Sequence, residues 1–293
     1  MHFLLLCILS STAIFVTFKT INRLHIPAFP VIVINYLAAT LLGFLIYKGD
    51  AGLASIPGSP WLPISMIIGV MFILMFFLVA FSTKKAGLSV TTVASKMSVI
   101  FPIAFSLIID PGDQISMLKA VAVVTALGGV VLTVYKPNDL HPERSVIFIP
   151  LLLFVGMGLV DSLVKLAQQQ YVSDDETALF SAILFLNAFI AGVIAAIVYR
   201  KHRRDFIKGK VWGWGFLLGS VNFGSIYFLV RALHYNSPAG KNMDSSVIFG
   251  ANNISIVALS VLIGLLVFRE KLKLVNWIGV LLSALALLLF TLV

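Results

Sequence analysis

Lys96 stands inside an apolar stretch running from Val90 to Ile109, with Thr92 and Ser95 beside it. A charge at the centre of a bilayer costs about 2.5–3.5 kcal/mol on insertion scales, so a cation at such depth needs a partner, a wet cavity or a function. Its ammonium can hold a carboxylate or phosphate, or exchange a proton if desolvation weakens its base. Alternatively, its stem can carry the charge back to water near Lys84 and Lys85. A second apolar stretch carries Asn252, Asn253 and Ser255 next to Gly250. Amides both donate and accept, which suits a zwitterionic or polyhydroxylated ligand, although hydrogen bonds between helices use the same groups. Asp161 and Lys165 are spaced i, i+4 on a third stretch, where they can neutralise one another, or Asp161 can carry a proton.

Further polar positions invite weaker readings. Asn222 and Tyr227 can offer an amide and a phenol to a ligand, or pack in a core. Asn35 and Asn187 suit contacts between helices, Arg231 and His234 an interfacial anchor or a gate, and Lys19 an anchor at a helix end. Cys7 reads as a small core residue, with neither a disulfide framework nor a thiolate metal set around it. The five His residues lack metal-ligand spacing, and no Walker loop or dinucleotide fingerprint is present. An enzyme is therefore not expected, and no metal or other cofactor.

These groups must be positioned by elements that water does not solvate. Of 293 residues, 60% are hydrophobic and only 11% charged, and the mean hydropathy is +1.05. A soluble domain with a solvated surface does not sustain such values. The net charge of +9 comes from Lys and Arg at the ends of apolar runs rather than on one stripe, which argues for membrane anchoring and against nucleic acid. Apolar runs bounded by Pro, Gly, Asn and charge predict helices at 2–21, 29–47, 61–83, 90–109, 116–135, 146–169, 177–199, 211–235, 245–268 and 274–292. The first run has no basic segment before it and no small-residue cleavage site after it, so it reads as a retained helix. Trp61, Trp212, Trp214 and Trp277 fall near helix ends, as an aromatic belt requires.

The polar break from Lys136 to Arg144 divides the chain into halves that match. Asn35-Tyr36-Leu37 with Tyr47-Lys48 recurs as Asn187-Ala188-Phe189 with Tyr199-Arg200, and Lys19 finds Lys165. Phe77-Leu78-Val79 lies opposite Phe228-Leu229-Val230, and the segment opening at Asp113 lies opposite that opening at Glu270. The expected organisation is a five-helix repeat over 1–137, a linker at 138–145 and a second repeat over 146–293. Because five crossings is an odd number, the second repeat is inverted, and a site is expected near the midplane between the halves. Fourteen Lys and Arg residues follow odd-numbered helices, among them Arg23, Lys84, Lys85, Arg200, Arg269 and Lys271; three follow even-numbered ones, Lys48, Lys119 and Lys241. That bias predicts odd-numbered loops in the cytoplasm and both termini outside.

The run from Ala232 through His234 and Pro238 to Ala239, a polar-flecked ninth helix, and Phe268-Arg269-Glu270-Lys271-Leu272 leading into Asn276-Trp277-Ile278-Gly279 resemble the second half of the ten-helix EamA-type members of the drug/metabolite transporter superfamily. Lys84-Lys85-Ala86-Gly87-Leu88-Ser89, Pro102 and Gly128-Gly129 resemble the first half, while Ser10-Ser11 stands where a Trp-Gly pair is common. The resemblance covers essentially the whole chain. It implies a carrier that alternates access around a central cavity lined mainly by helices 1, 3, 4, 6, 8 and 9, often exporting amino acids or related metabolites.

The sequence thus leads to an all-α polytopic protein of the inner (plasma) membrane, a secondary transporter for a small molecule, monomeric or homodimeric. Lys96, Ser95, Asn252, Asn253, Asn222 and Tyr227 are its candidate substrate contacts, and Asp161 with Lys165 its candidates for proton coupling. Uptake or exchange of a sugar or phosphorylated metabolite, or a membrane scaffold that transports nothing, are the alternatives.

Overall fold

The computed structural model describes residues 2–47, 53–102, 117–135, 144–172, 176–198, 200–233 and 245–291. Among these residues the chain is helical throughout, without a strand. Its helices are α1 (His2–Arg23), α2 (Ala28–Ile46), α3 (Leu62–Lys85), α4 (Leu88–Met97), α5 (Met117–Val134), α6 (Arg144–Gln170), α7 (Thr177–Val198), α8 (Gly209–Leu233), α9 (Ser245–Leu266) and α10 (Leu274–Thr291), with 3₁₀ segments at Leu53–Gly58 and Arg200–Ile207. Each apolar stretch recognised in the sequence overlaps one of these helices. The greater part of the expected linker, 138–143, lies outside the described residues, as do Asp113 and His234.

Among the described residues five helices are long and apolar enough to cross a membrane: α1, α2, α3, α6 and α7. Shorter apolar stretches lie at Leu88–Pro102, Ala120–Val134, Ala251–Leu266 and Leu274–Leu289. The outward faces are apolar too, with Leu45, Val124, Phe148 and Leu281 each more than half exposed. Helices apolar on both faces suit a lipid solvent rather than water.

Helix ends follow local chemistry. At the end of α1, the Ile26 amide donates to the Ile21 carbonyl while His25 adopts φ 55°, a left-handed stop followed by Pro27. The expected continuous helix over 90–109 is interrupted: Ser98 and Val99 form a turn, and helical geometry resumes over 100–102. Pro102 has no amide to offer the Ser98 carbonyl and its ring crowds that carbonyl, so the ladder breaks there. The Phe101 amide takes the Ser98 carbonyl instead, at 2.9 Å. Trp61, expected in an interfacial belt, is fully buried and meets Phe180 edge to face at 5.6 Å between ring centres. It precedes α3 and packs inward against α7, whereas Trp212 is exposed and donates to the Phe206 carbonyl.

The buried side chains form two cores. One is built on α1, α2, α3, α6, α7 and α8, with Tyr36, Phe72, Phe76 and Phe185 at its aromatic centre. The other joins α4, α5, α9 and α10, with Phe154 of α6. Helix α2 packs on α7 and α8, and α3 on α7 and α6; α1 packs on α8 and α9, and α6 on α3 and α4. Between α5 and α10 the contact is reciprocal. A Cβ on Gly129 would lie 2.8 Å from the Ser283 amide nitrogen, and one on Gly279 would strike Thr133. Gly129 and Gly279 are 150 positions apart, as are Thr133 and Ser283. Gly69 and Gly219, also 150 apart, press on the backbones of Asn187-Ala188 and Asn35 respectively.

Candidate functional site

A polar centre lies at the border of the two cores, where α4 meets α1, α6 and α9. Lys96 projects from the last turn of α4, half-buried. Its charge acts on Asp161 of α6 and on the Cys7 thiol of α1. Among the described residues no direct hydrogen bond joins Lys96 to Asp161. The Asp161 carboxylate accepts instead from Ser98 Oγ at 3.1 Å, so the turn forced by Pro102 supplies the carboxylate with a donor. Ser98 Oγ also lies 2.7 Å from the Ser95 carbonyl, one of those the broken ladder releases.

Among the described residues no ion pair joins Asp161 to Lys165, the neutralisation that their spacing allows. Lys165 Nζ reaches the Pro102 carbonyl at 3.4 Å, and the cation facing Asp161 comes from α4.

Seven buried polar side-chain atoms have no hydrogen-bond partner among the described residues, and three of them lie on helices that meet at this centre: Thr12 Oγ1 on α1, Ser95 Oγ on α4 and Asn252 Oδ1 on α9. Their residues are 2%, 3% and 4% exposed. Buried polar atoms are almost always paired, so three such atoms on three helices that contact one another form unmet hydrogen-bonding capacity. Asn253 is half-buried beside Asn252. On α1, Cys7 and Ser11 share a face, and the Cys7 thiol donates to the Ser225 carbonyl of α8 at 3.2 Å.

Asn222 and Tyr227 are engaged with protein. The Asn222 amide donates to Asn35 Oδ1 at 3.2 Å, tying α8 to α2, while Asn187 donates to Ser65 Oγ at 2.9 Å, tying α7 to α3. Tyr227 stacks on Phe223 and accepts from Arg231 Nε at 3.2 Å. A cavity of about 300 Å³ lies elsewhere, lined by Asn22, His25, Pro27, Phe77, Phe81 and Lys84 where α1 gives way to α2 beside α3. Its side-chain amide, the half-buried Asn22, already donates to the Ala80 carbonyl and to Thr83 Oγ1, so the polar centre is the better candidate.

The sequence assigned no functional role to Ser98, Thr12 or Glu270. Pro102, four residues after Ser98, was the available signal for the first. Thr12 carries none, since an isolated hydroxyl in an apolar helix is ordinary. Glu270 sits in the stretch Phe268–Leu272, and its carboxylate forms an ion pair with Lys19 at 2.7 Å. Lys19 is therefore not simply an anchor at a helix end.

No family model matches the chain. A Haemophilus influenzae protein described as uncharacterized is 28% identical over 291 residues, spanning 97% of this chain and 95% of that protein. A solved crystal structure of a protein superposes with a TM-score of 0.59 at 16% identity, covering 98% of this chain and 97% of that one. The arrangement of helices is thus one that another chain of similar length also adopts.

Proposed function

We propose that the chain is a ten-crossing secondary transporter of the drug/metabolite type, multi-pass in the inner membrane, that moves a small metabolite through the polar centre between α1, α4, α6 and α9. The observation that carries this reading is the centre itself: a cation and a carboxylate held near each other without a direct bond, beside three buried polar atoms that lack partners. A ligand with groups of both charges, or with several hydroxyls, would complete those bonds. Lys96, Ser95, Asn252 and Asn253 would contact it. Asp161, with Ser98 as donor and Lys96 opposite, is the group best placed to carry a proton. An amino acid or related compound fits this donor set, and export is the favoured direction.

The inverted repeat is part of the proposal. The reciprocal crossing of α5 and α10, with Gly129 set against Ser283 and Gly279 against Thr133, supports it, because a two-fold relation between halves produces that exchange. The division into cores supports it as well, since each core draws equivalent helices from both halves. A sugar or phosphorylated metabolite is the second reading, favoured by the Lys96 cation alone.

Thermal unfolding of the purified protein against panels of amino acids, sugars and phosphorylated metabolites tests substrate class. Stabilisation by amino acids that is lost in Lys96→Ala is the expected result; stabilisation only by phosphorylated compounds would favour the second reading.

A further inference from the structure

Glu270, between α9 and α10, gathers donors from two other parts of the chain, α1 and the start of α4. Its Oε1 accepts from the Leu88 amide at 2.6 Å and from Lys19 Nζ at 2.7 Å, and its Oε2 from the Ser89 amide at 3.1 Å and Ser89 Oγ at 3.0 Å. The first amides of α4 have no partners within their own helix, so a carboxylate there meets both orphan donors and a favourable helix end. Two glycines make room for it. A Cβ on Gly87 would lie 2.9 Å from Oε1, and one on Gly264 would lie 2.9 Å from Oε2. Lys19 also donates to the Thr83 carbonyl at 3.3 Å near the end of α3, with its ammonium 6.0 Å from the centre of the Phe268 ring.

This knot ties together α1, the end of α3, the start of α4 and the end of α9, and α1, α4 and α9 are helices that carry the polar centre. Lys19 lies twelve residues from Cys7 along α1, about 18 Å, and Leu88 eight residues from Lys96 along α4, about 12 Å, at 1.5 Å per residue. The knot therefore stands to one side of the centre, on the face where Arg23, Lys84, Lys85, Arg269 and Lys271 cluster near the helix ends. On that side of the centre the knot joins α1, the start of α4 and the loop after α9.

We propose that Glu270 is the clasp that closes this face, and that the polar centre is reached from this side only when its carboxylate leaves Lys19 and the α4 N-terminus. This rests on reading the centre as the transport site. One carboxylate holds three helices, so its release frees them together, as a two-state closure requires. The bonds are charge-assisted, which makes the closed form specific. They lie in a loop next to exposed charges, where water can take over each partner on opening.

Cys7 is the single cysteine, fully buried in this closed arrangement, and reports on access without added labels. The protein would be placed in vesicles of known orientation and treated from either face with a membrane-impermeant thiol reagent. Glu270→Gln keeps the side-chain shape and removes the charge, and Lys19→Met removes the partner. Both variants should be modified at Cys7 several-fold faster than the unaltered protein from the clasp face, with little change from the opposite face. Rates unchanged in both variants, or raised equally from both faces, would overturn the clasp; the second pattern is also what a chain that had lost its fold would give. Labelling needs no substrate, so failure to find flux would count against the transport reading while leaving this result to stand or fall separately.

Discussion

Ser98 donates to the Asp161 carboxylate at 3.1 Å across the contact between α4 and α6, at the turn where α4 loses its regular ladder. A proline four residues downstream, a broken helix, freed backbone groups and a carboxylate with a hydroxyl partner form one chain of causes. Irregular backbone inside an apolar layer is tolerated where neighbouring protein meets its polar groups, and such interruptions are common where a transporter binds its ligand.

The reciprocal glycine contact makes a direct prediction about stability. Gly279→Ala would set a methyl group against the Thr133 backbone and against the Gly129 carbonyl, and Gly129→Ala would set one against the Ser283 amide. Backbone cannot step aside as a flexible side chain can, so each should cost about 1–3 kcal/mol by overpacking. Gly128→Ala meets nothing within 4 Å and should be neutral or gain up to about 1 kcal/mol from helix propensity. Thermal unfolding in detergent separates the three; equal effects at Gly128 and Gly129 would contradict the crossing.

Glu270 predicts a pH dependence. Burial alone would raise its carboxyl, but the Lys19 ammonium together with the Leu88 and Ser89 amides outweighs burial and holds it below its ordinary value of 4.5. A group whose folded value is depressed contributes stability that is fully present above the unfolded value and lost as pH falls through the folded one. The melting temperature should therefore decline below about pH 4.5, and Glu270→Gln should be less stable at pH 7 but flatter with acid. An identical acid profile in the two proteins would show that other carboxylates set it.

The positions of the helices were legible because apolar length and polar breaks report them directly. Asn35 and Asn187, matched to one another in the sequence, each tie their helix to a neighbour, through Asn222 and Ser65 respectively. The hydrogen-bond partner of Asp161 was not legible, since a spacing of four residues pointed to Lys165 while tertiary packing brought Ser98. Lys19 and Glu270 are 251 positions apart, and no local pattern announces a pair that only folding creates. Trp61 misled for the same reason, because a helix end says where a ring lies along the axis and not which way it faces.

The central claim, that the polar centre is where a substrate is carried, is tested most directly by counterflow in proteoliposomes. A compound found by thermal shift would be loaded on one side and its labelled form supplied on the other. Uptake should be substrate-dependent, fall at least tenfold in Lys96→Ala and Asn252→Ala with melting still cooperative, and persist in Asn222→Ala, whose amide is spent on Asn35. Undiminished flux in folded Lys96→Ala and Asn252→Ala would contradict the account.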